Sequence, residues 1–360
     1  MRATAAAQLS TQQRELHALR ELSARLGTNP LLVQASTGNT SIKIGNSLWI
    51  KRSGKWLLDA EAEDSFLAVD LPNALHCFRK NVPIPETQAP ASGRRASIET
   101  ALHAVLPHKV VIHVHSINTI AWAVRKDGPK QLSSRLSGVA WEWIPYTSSG
   151  FSLAREIHRA VLSSPQTNVF VLANHGLVVC GESCGFVEQL LANVEARLAI
   201  EPRRAPAPQS GVLNRTVANS DWYLPPCAEV HALATDELSR SILFGGVLYP
   251  CQAMFFPETL VISGSNKDSP GRDTPPSFLL VHSAGVLYSK RFTPAKEQML
   301  RGLANVVQRI ESSAPLRYLT TLEVLEVLEG PKYPGAPDRD SEVQPTGGPK
   351  SLRFSARTAS

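Results

Sequence analysis

Val110-Val111-Ile112-His113-Val114-His115-Ser116 sets two imidazoles two residues apart in a run that otherwise reads as buried strand. Side chains two apart on a strand point to the same face, so His113 and His115 can both reach one ion. A third histidine stands in Leu172-Ala173-Asn174-His175-Gly176-Leu177. Ring nitrogens are costly in an apolar interior unless they are partnered. Three imidazoles with an open fourth position are the catalytic form of a zinc site. One such histidine alone would read as a hydrogen-bonded core residue; the three together read as metal ligands.

The pattern extends outward from that strand. Residues 9–26 carry Leu16, Leu19, Leu22 and Leu26 at helical spacing and stop at Gly27. The turn-rich stretch Ser36-Thr37-Gly38-Asn39-Thr40-Ser41 follows, then two short strands over 41–44 and 47–51, joined at Gly45-Asn46. Residues 98–106 read as a helix with Ser97 as N-cap and Pro107 as its stop. Beyond the histidine strand, 152–162 read as an amphipathic helix and 186–200 as another. Between them 169–172 and 177–180 read as strands folded back around Asn174-His175-Gly176. Short helices alternating with hairpins predict an α/β fold with a mixed β-sheet flanked by helices, not a doubly wound parallel one. No G-x-G-x-x-G follows a strand, so nothing argues for a dinucleotide site.

The proline-rich stretch 201–211 reads as a linker. The expected division is a first unit over 1–203, a linker over 204–211, a smaller α/β unit over 212–330 and a disordered tail over 331–360. In the second unit, 228–243, 294–310 and 321–328 read as helices, and 247–249, 260–262, 278–282 and 286–288 as strands. One echo links the two units. Val171-Leu172-Ala173-Asn174-His175-Gly176-Leu177-Val178-Val179 resembles Leu279-Leu280-Val281-His282-Ser283-Ala284-Gly285-Val286-Leu287-Tyr288, with Ala284 opposite His175. It is either a repeat that has lost its ligand or a chance likeness between two strand-glycine-strand hairpins.

Composition narrows the function. With 43% hydrophobic and 19% charged residues the chain is an ordinary globular protein. Its formal charge of +6 is uneven: after Gly330, Lys332, Arg339, Lys350, Arg353 and Arg357 outnumber Asp338, Asp340 and Glu342, and the remaining excess is scattered without a basic run that would track a phosphate backbone, which argues against nucleic acid. No stretch is apolar for long enough to cross a bilayer, and the N-terminus lacks the apolar run of a signal peptide, so a cytoplasmic location is expected. The odd count of five cysteines, with Cys180 and Cys184 lacking a second pair, reads as small buried thiols in a reducing compartment.

Glu99 and His103 are four apart on the expected helix and share a face. Near a divalent ion, the Glu99 carboxylate can serve as a fourth ligand and then move a proton beside a polarised carbonyl. It can equally be a solvated helix residue, and the spacing does not choose. His103 reads as a residue packing or hydrogen-bonding behind the site, and His108 as a turn residue. The turns Gly38-Asn39-Thr40-Ser41 and Ser53-Gly54, with Lys51 and Arg52 beside the second, offer backbone N–H groups to an anion, although such turns mostly just reverse the chain.

Six motifs occur in order: Gly-Asn-Thr-Ser (38–41), Ile-Lys-Arg-Ser-Gly (50–54), Ser-Ile-Glu-Thr-Ala-Leu-His (97–103), His-Val-His-Ser (113–116), Ile-Pro-Tyr (144–146) and Asn-His-Gly-Leu-Val-Val (174–179). Together they resemble the class II aldolase/adducin family, in its sugar-phosphate aldolase and ribulose-phosphate 4-epimerase branches, over roughly the first 200 residues. The resemblance implies zinc, or another divalent metal, on His113, His115 and His175, with Glu99 as fourth ligand and catalytic acid/base. It implies a substrate cradle of Gly38, Asn39, Lys51, Ser53, Gly54 and Ser97. It also implies that Tyr146 donates a proton in the active site of a neighbouring subunit, in a homo-oligomer.

Two departures matter. Ile98 stands where phosphate-handling members carry a second serine, and an apolar side chain cannot donate to a phosphate oxygen. Glu99 stands where the epimerases usually have Asp, which favours aldol chemistry. The resulting expectation is a zinc-dependent lyase cleaving a carbon–carbon bond in a ketose, sugar phosphate or hydroxy-keto acid. A metal-dependent epimerase, dehydratase or decarboxylase on the same site is one alternative; a non-catalytic adducin-like scaffold is another.

Overall fold

Ser10 opens the first helix by accepting from the Gln13 backbone while the Gln13 side chain accepts from its own, and α1 (Thr11–Gly27) then buries Leu19, Leu22 and Leu26. The computed structural model describes residues 10–87, 93–218, 220–257 and 276–330. The expected strand at 260–262 and the expected disordered tail at 331–360 lie outside the described residues.

After α1 come β1 (Asn39–Ile44), β2 (Ser47–Lys51), β3 (Phe66–Asp70), α2 (Leu71–Lys80), α3 (Thr100–Val105), β4 (Val110–Val114), α4 (Ile117–Ala123), α5 (Gly128–Arg135), β5 (Trp141–Ile144), α6 (Phe151–Ser163), β6 (Val169–Leu172), β7 (Gly176–Gly181) and α7 (Cys184–Leu198). The sheet order is β3-β2-β1-β4-β7-β6-β5. Every neighbouring pair is antiparallel except β5 with β6, so the sheet is mixed and flanked by helices.

Both faces of β4 are buried, which is why its sequence runs apolar without alternation. Val110, Ile112 and Val114 pack with Leu19, Leu22 and Val187 on the α1 and α7 side. Val111 packs with Leu102 and Ile157 on the α3 and α6 side. The two-residue period sends His113 to that second face, where the chain leading into α3 delivers Glu99.

The remaining elements are α8 (Ser210–Val217), β8 (Trp222–Tyr223), α9 (Ala232–Thr235), α10 (Glu237–Gly245), α11 (Pro250–Phe255), β9 (Phe278–Val281), β10 (Gly285–Ser289), α12 (Pro294–Gln308) and α13 (Thr321–Glu329). Strands β8, β10 and β9 form a small antiparallel sheet in that order. One apolar cluster joins this region to the first: Ile117, Ile120 and Val124 pack with Leu300, Leu303 and Val307. Arg317 N–H donates to the Val124 carbonyl at 2.8 Å, and Lys126 N–H to the Pro315 carbonyl at 2.7 Å.

Three local expectations are corrected. The helix expected from 98 starts at Thr100: residues 98 and 99 form a turn, Glu99 at φ −91° and ψ 12°, while the Ser97 hydroxyl accepts from Glu99 N–H. The single helix expected over 228–243 breaks at Asp236, which is extended and caps α10 through Ser239 N–H at 3.0 Å. Residues 247–249 are not a strand. Their backbone is taken by other partners: Val247 O accepts from Leu319 N–H, Leu248 O from the Asn174 amide, and Leu248 N–H donates to Gln252 Oε1. Among the described residues no helix is long and apolar enough to cross a membrane.

Candidate metal centre

His113 is held at the end of β4 by the ladder to β7, where it pairs with Val178. His175 sits in the β6–β7 turn, where Asn174 adopts φ +52° and His175 N–H donates to Leu172 O at 3.1 Å. The turn packs so tightly on β4 that a Cβ on Gly176 would lie 2.5 Å from the Val114 carbonyl. Gly38 makes the matching approach from β1's side: with φ +66°, its Cβ would lie 2.9 Å from the His113 carbonyl. The two glycines let three chain segments close on one point.

At that point one ring nitrogen from each of His113, His115 and His175 lies within 4.8 Å of the others, and all three residues are buried. The rings meet edge to face, with centroids 4.9–5.1 Å apart. Glu99 is 5% exposed and faces the same point, with Oε2 3.4 Å from His113 Nε2 and Oε1 3.6 Å from His175 Nε2. Oε1 is a buried oxygen without a hydrogen bond, an anomaly in a folded interior that a divalent ion would remove. Burial holds the His175 imidazole down to about 4, against an opposing pull from Glu99, and His115 well below its ordinary range. Those two rings are therefore neutral at pH 7, the form that ligates. For Glu99, burial alone would raise the pKa; His113, His175 and the Asn39 amide outweigh it and hold the carboxyl at about 2. Three imidazoles plus one carboxylate fit zinc or a similar divalent ion.

Asn39 reaches the carboxylate from β1. Its amide donates to Glu99 Oε2 at 2.8 Å and to the Ser97 hydroxyl at 3.2 Å. Its Oδ1 is bonded by His103 Nε2, and His103 Nδ1 meets the Ser41 hydroxyl at 2.7 Å. Glu99 and His103 are thus linked through Asn39. Lys51 is buried, donates to the Ser36 and Lys55 carbonyls, and is brought down to about 7 by burial, with Glu99 pulling the other way.

The other expected cradle residues lie further out. Ser53 and Gly54 form an exposed turn, Gly54 with φ +77°, and Ser53 N–H donates to the Arg95 carbonyl at 2.8 Å beside Ser97. His108 meets Asn168 at 3.2 Å. Tyr146 is not brought into the cluster. Its ring packs with Val247, Leu319 and Val324, Arg317 lies 4.9 Å over it, and its buried hydroxyl has no hydrogen bond.

Contacts from the far end of the chain have no counterpart in the sequence reading. Cys251 Sγ lies 3.5 Å from His115 Nδ1. The Asn174 amide donates to the carbonyls of Leu248 and Arg317, both at 2.8 Å, and Arg317 donates back to Asn174 Oδ1 at 3.1 Å. No spacing rule connects residues so far apart; only the left-handed tendency of Asn in Asn-His-Gly hinted at the turn.

The profile of the class II aldolase and adducin N-terminal domain matches residues 17–200. The chain belongs to that family. An uncharacterized oxidoreductase of Bacillus subtilis strain 168, YuxG, is 29% identical over 175 residues, 44% of this chain and 25% of that protein. The chain thus spans about a quarter of the length of this curated relative. Among solved structures, the N-terminal class II aldolase domain of a conserved Thermoplasma acidophilum protein is similar at 23% identity and a TM-score of 0.46, covering 55% of this chain and 98% of that one. The L-fuculose-1-phosphate aldolase of Thermus thermophilus is similar at 19% identity and a TM-score of 0.37, covering 52% of this chain and 93% of that one.

Proposed function

We propose that this chain is a divalent-metal lyase, loaded with zinc, that cleaves a carbon–carbon bond in a small ketose or hydroxy-keto acid. The observation that carries the reading is the Glu99 carboxylate, buried between His113 and His175 with one oxygen unbonded. A bound ion there supplies Lewis acidity to a substrate oxygen. His113, His115 and His175 would hold it, with Glu99 as a fourth ligand.

With substrate in place, Glu99 would accept the proton of the substrate hydroxyl as the carbon–carbon bond breaks and return it to the carbon next to the carbonyl. Asn39 keeps Oε2 oriented through its 2.8 Å bond, so that Oε1 is the oxygen aimed at the ligand point. Asn39 and Ser97 present polar groups beside the carboxylate, and the buried Lys51 amine, brought down to about 7, gains its positive charge as pH falls below neutral. The side chain of Ile98 lines a separate cavity of about 380 Å³ with Ser148, Gly150 and Glu326. It offers no donor to a phosphate, which favours an unphosphorylated substrate. Tyr146 lies under Arg317 and against Leu319 and Val324 in its own chain.

The test is a screen of ketoses and hydroxy-keto acids with the zinc-loaded protein, following release of aldehyde, for wild type and Glu99→Gln. The reading expects cleavage by wild type and a loss of about 100-fold or more in kcat for Glu99→Gln, with zinc still bound. Equal turnover by the two proteins, or no cleavage across the screen, would overturn it. Epimerisation, dehydration or decarboxylation would appear as turnover without aldehyde release.

A further inference from the structure

The echo between the two hairpins is structural as well as sequential. With Gly285 placed on Gly176, β9 (Phe278–Val281) falls residue for residue on β6 (Val169–Leu172), and β10 (Gly285–Ser289) on β7 (Gly176–Gly181). Ser283 then stands on Asn174, and both are left-handed, at φ +56° and +52°. Ala284 N–H donates to Val281 O as His175 N–H does to Leu172 O. Ser283 N–H donates to Ala234 O in α9, as Asn174 N–H does to Ala123 O in α4. The antiparallel order β8-β10-β9 repeats β4-β7-β6, and the helices that follow, α12 and α7, each have 15 residues. Two further stretches correspond in the same order: Val230-His231-Ala232-Leu233 with Val114-His115-Ser116-Ile117, and Tyr249-Pro250-Cys251 with Ile144-Pro145-Tyr146. Non-glycine residues seldom adopt positive φ, so matched left-handed residues with matched bonds argue against chance.

The second copy has no metal cluster of its own among the described residues. Ala284 replaces His175, and His231 Nδ1 is occupied by Val286 N–H at 3.0 Å. What this region retains is contact with the first site. Cys251, at the position that Tyr146 holds in the first copy, meets His115; Leu248 and Arg317 hold Asn174, the neighbour of His175.

We infer that residues 222–257 and 276–308 are a ligand-free duplicate of the 110–198 half, and that this duplicate with the adjoining Arg317 clamps the metal centre, Cys251 being the positioning residue for His115. The inference rests on the reading of the histidine cluster as a metal site. An imidazole that gives Nε2 to an ion carries its proton on Nδ1, and that N–H needs an acceptor to fix the ring. For His113 the acceptor is the Leu177 carbonyl at 3.1 Å. For His115, whose Nε2 lies 3.2 Å from His113 Nε2, it is the Cys251 sulfur. The clamp acts within one chain, so fixing His115 and His175 requires no second subunit.

The test measures zinc dissociation constants of the full chain by chelator competition, for wild type, Cys251→Val and Cys251→Ser, with the visible spectrum of the cobalt-loaded forms. Valine fills the buried position without an acceptor; serine restores one. Weakening of about tenfold or more in Cys251→Val, an altered cobalt spectrum, and recovery to within about threefold in Cys251→Ser are expected. Arg317→Ala, which removes the donor to Asn174 Oδ1 while leaving both carbonyl acceptors of the Asn174 amide and Cys251 in place, serves if Cys251→Val does not fold, and should weaken zinc in the same direction. Wild-type affinity and spectrum in Cys251→Val, or in Arg317→Ala where that variant is used instead, would overturn the clamp alone. A wild type that binds no zinc would overturn the metal reading and the clamp with it.

Discussion

His103 carries no ligand atom, yet it decides how the candidate acid/base is held. Its ring spans Ser41 and the Asn39 amide, and Asn39 in turn orients Glu99. Burial brings its pKa down to about 3. An unfolded chain protonates this histidine below its ordinary 6.5, whereas the folded chain resists until about 3. The unfolded state therefore binds the extra proton, and stability falls as pH drops from 6.5 towards 3, by about 1.4 kcal/mol per pH unit at most. Denaturant titrations at pH 4.5, 5.5 and 6.5 should show His103→Gln losing about one proton of this linkage; an unchanged slope would remove His103 from the account. The three clustered histidines are legible from sequence because strand period and the His-Gly turn are local signals. The Ser41–His103–Asn39–Glu99 chain is less so, since it is assembled across β1 and α3 by sheet pairing.

At the scale of elements, the two-residue period around β4 and the Gly-centred turn carry the site, and both are written in short stretches of sequence. The start of α3 is not, because residues 98 and 99 form a turn in which the Ser97 hydroxyl also takes a tertiary bond from Asn39. Strand propensity at 247–249 likewise yields to partners that no local pattern encodes. The short helix α4 escapes a periodicity reading because seven residues, all buried, present no polar face. The close approach at Gly176 gives an element-scale prediction. Gly176→Ala places a methyl 2.5 Å from the Val114 carbonyl, which must push the His175 turn off β4. We expect a loss of about 1–3 kcal/mol in urea denaturation together with weaker zinc binding; a variant equal to wild type in both would contradict the packing described.

At the scale of the whole molecule, the composition shift at 201–211 suggests a linker between separable units, whereas the apolar cluster between α4 and α12 runs across it. Arg203 is pinned as well, donating to Asp236 at 2.7 Å and to the Val307 carbonyl at 2.9 Å. Composition reports where chain is polar and proline-rich; it does not report which faces meet. The shared cluster predicts one unfolding transition by far-ultraviolet circular dichroism and tryptophan fluorescence alike. Leu303→Ala, at a fully buried position in that cluster, should lower stability by about 2–5 kcal/mol while keeping the transition single. Two separated transitions would mean that the regions fold independently. The most direct measurement for the central claim is the metal content of the purified protein by elemental mass spectrometry, compared with a His113→Ala, His115→Ala double variant. The account predicts about one zinc per chain in wild type and almost none in the variant. A wild type that stays empty after exposure to zinc, or a double variant that holds as much, would contradict it.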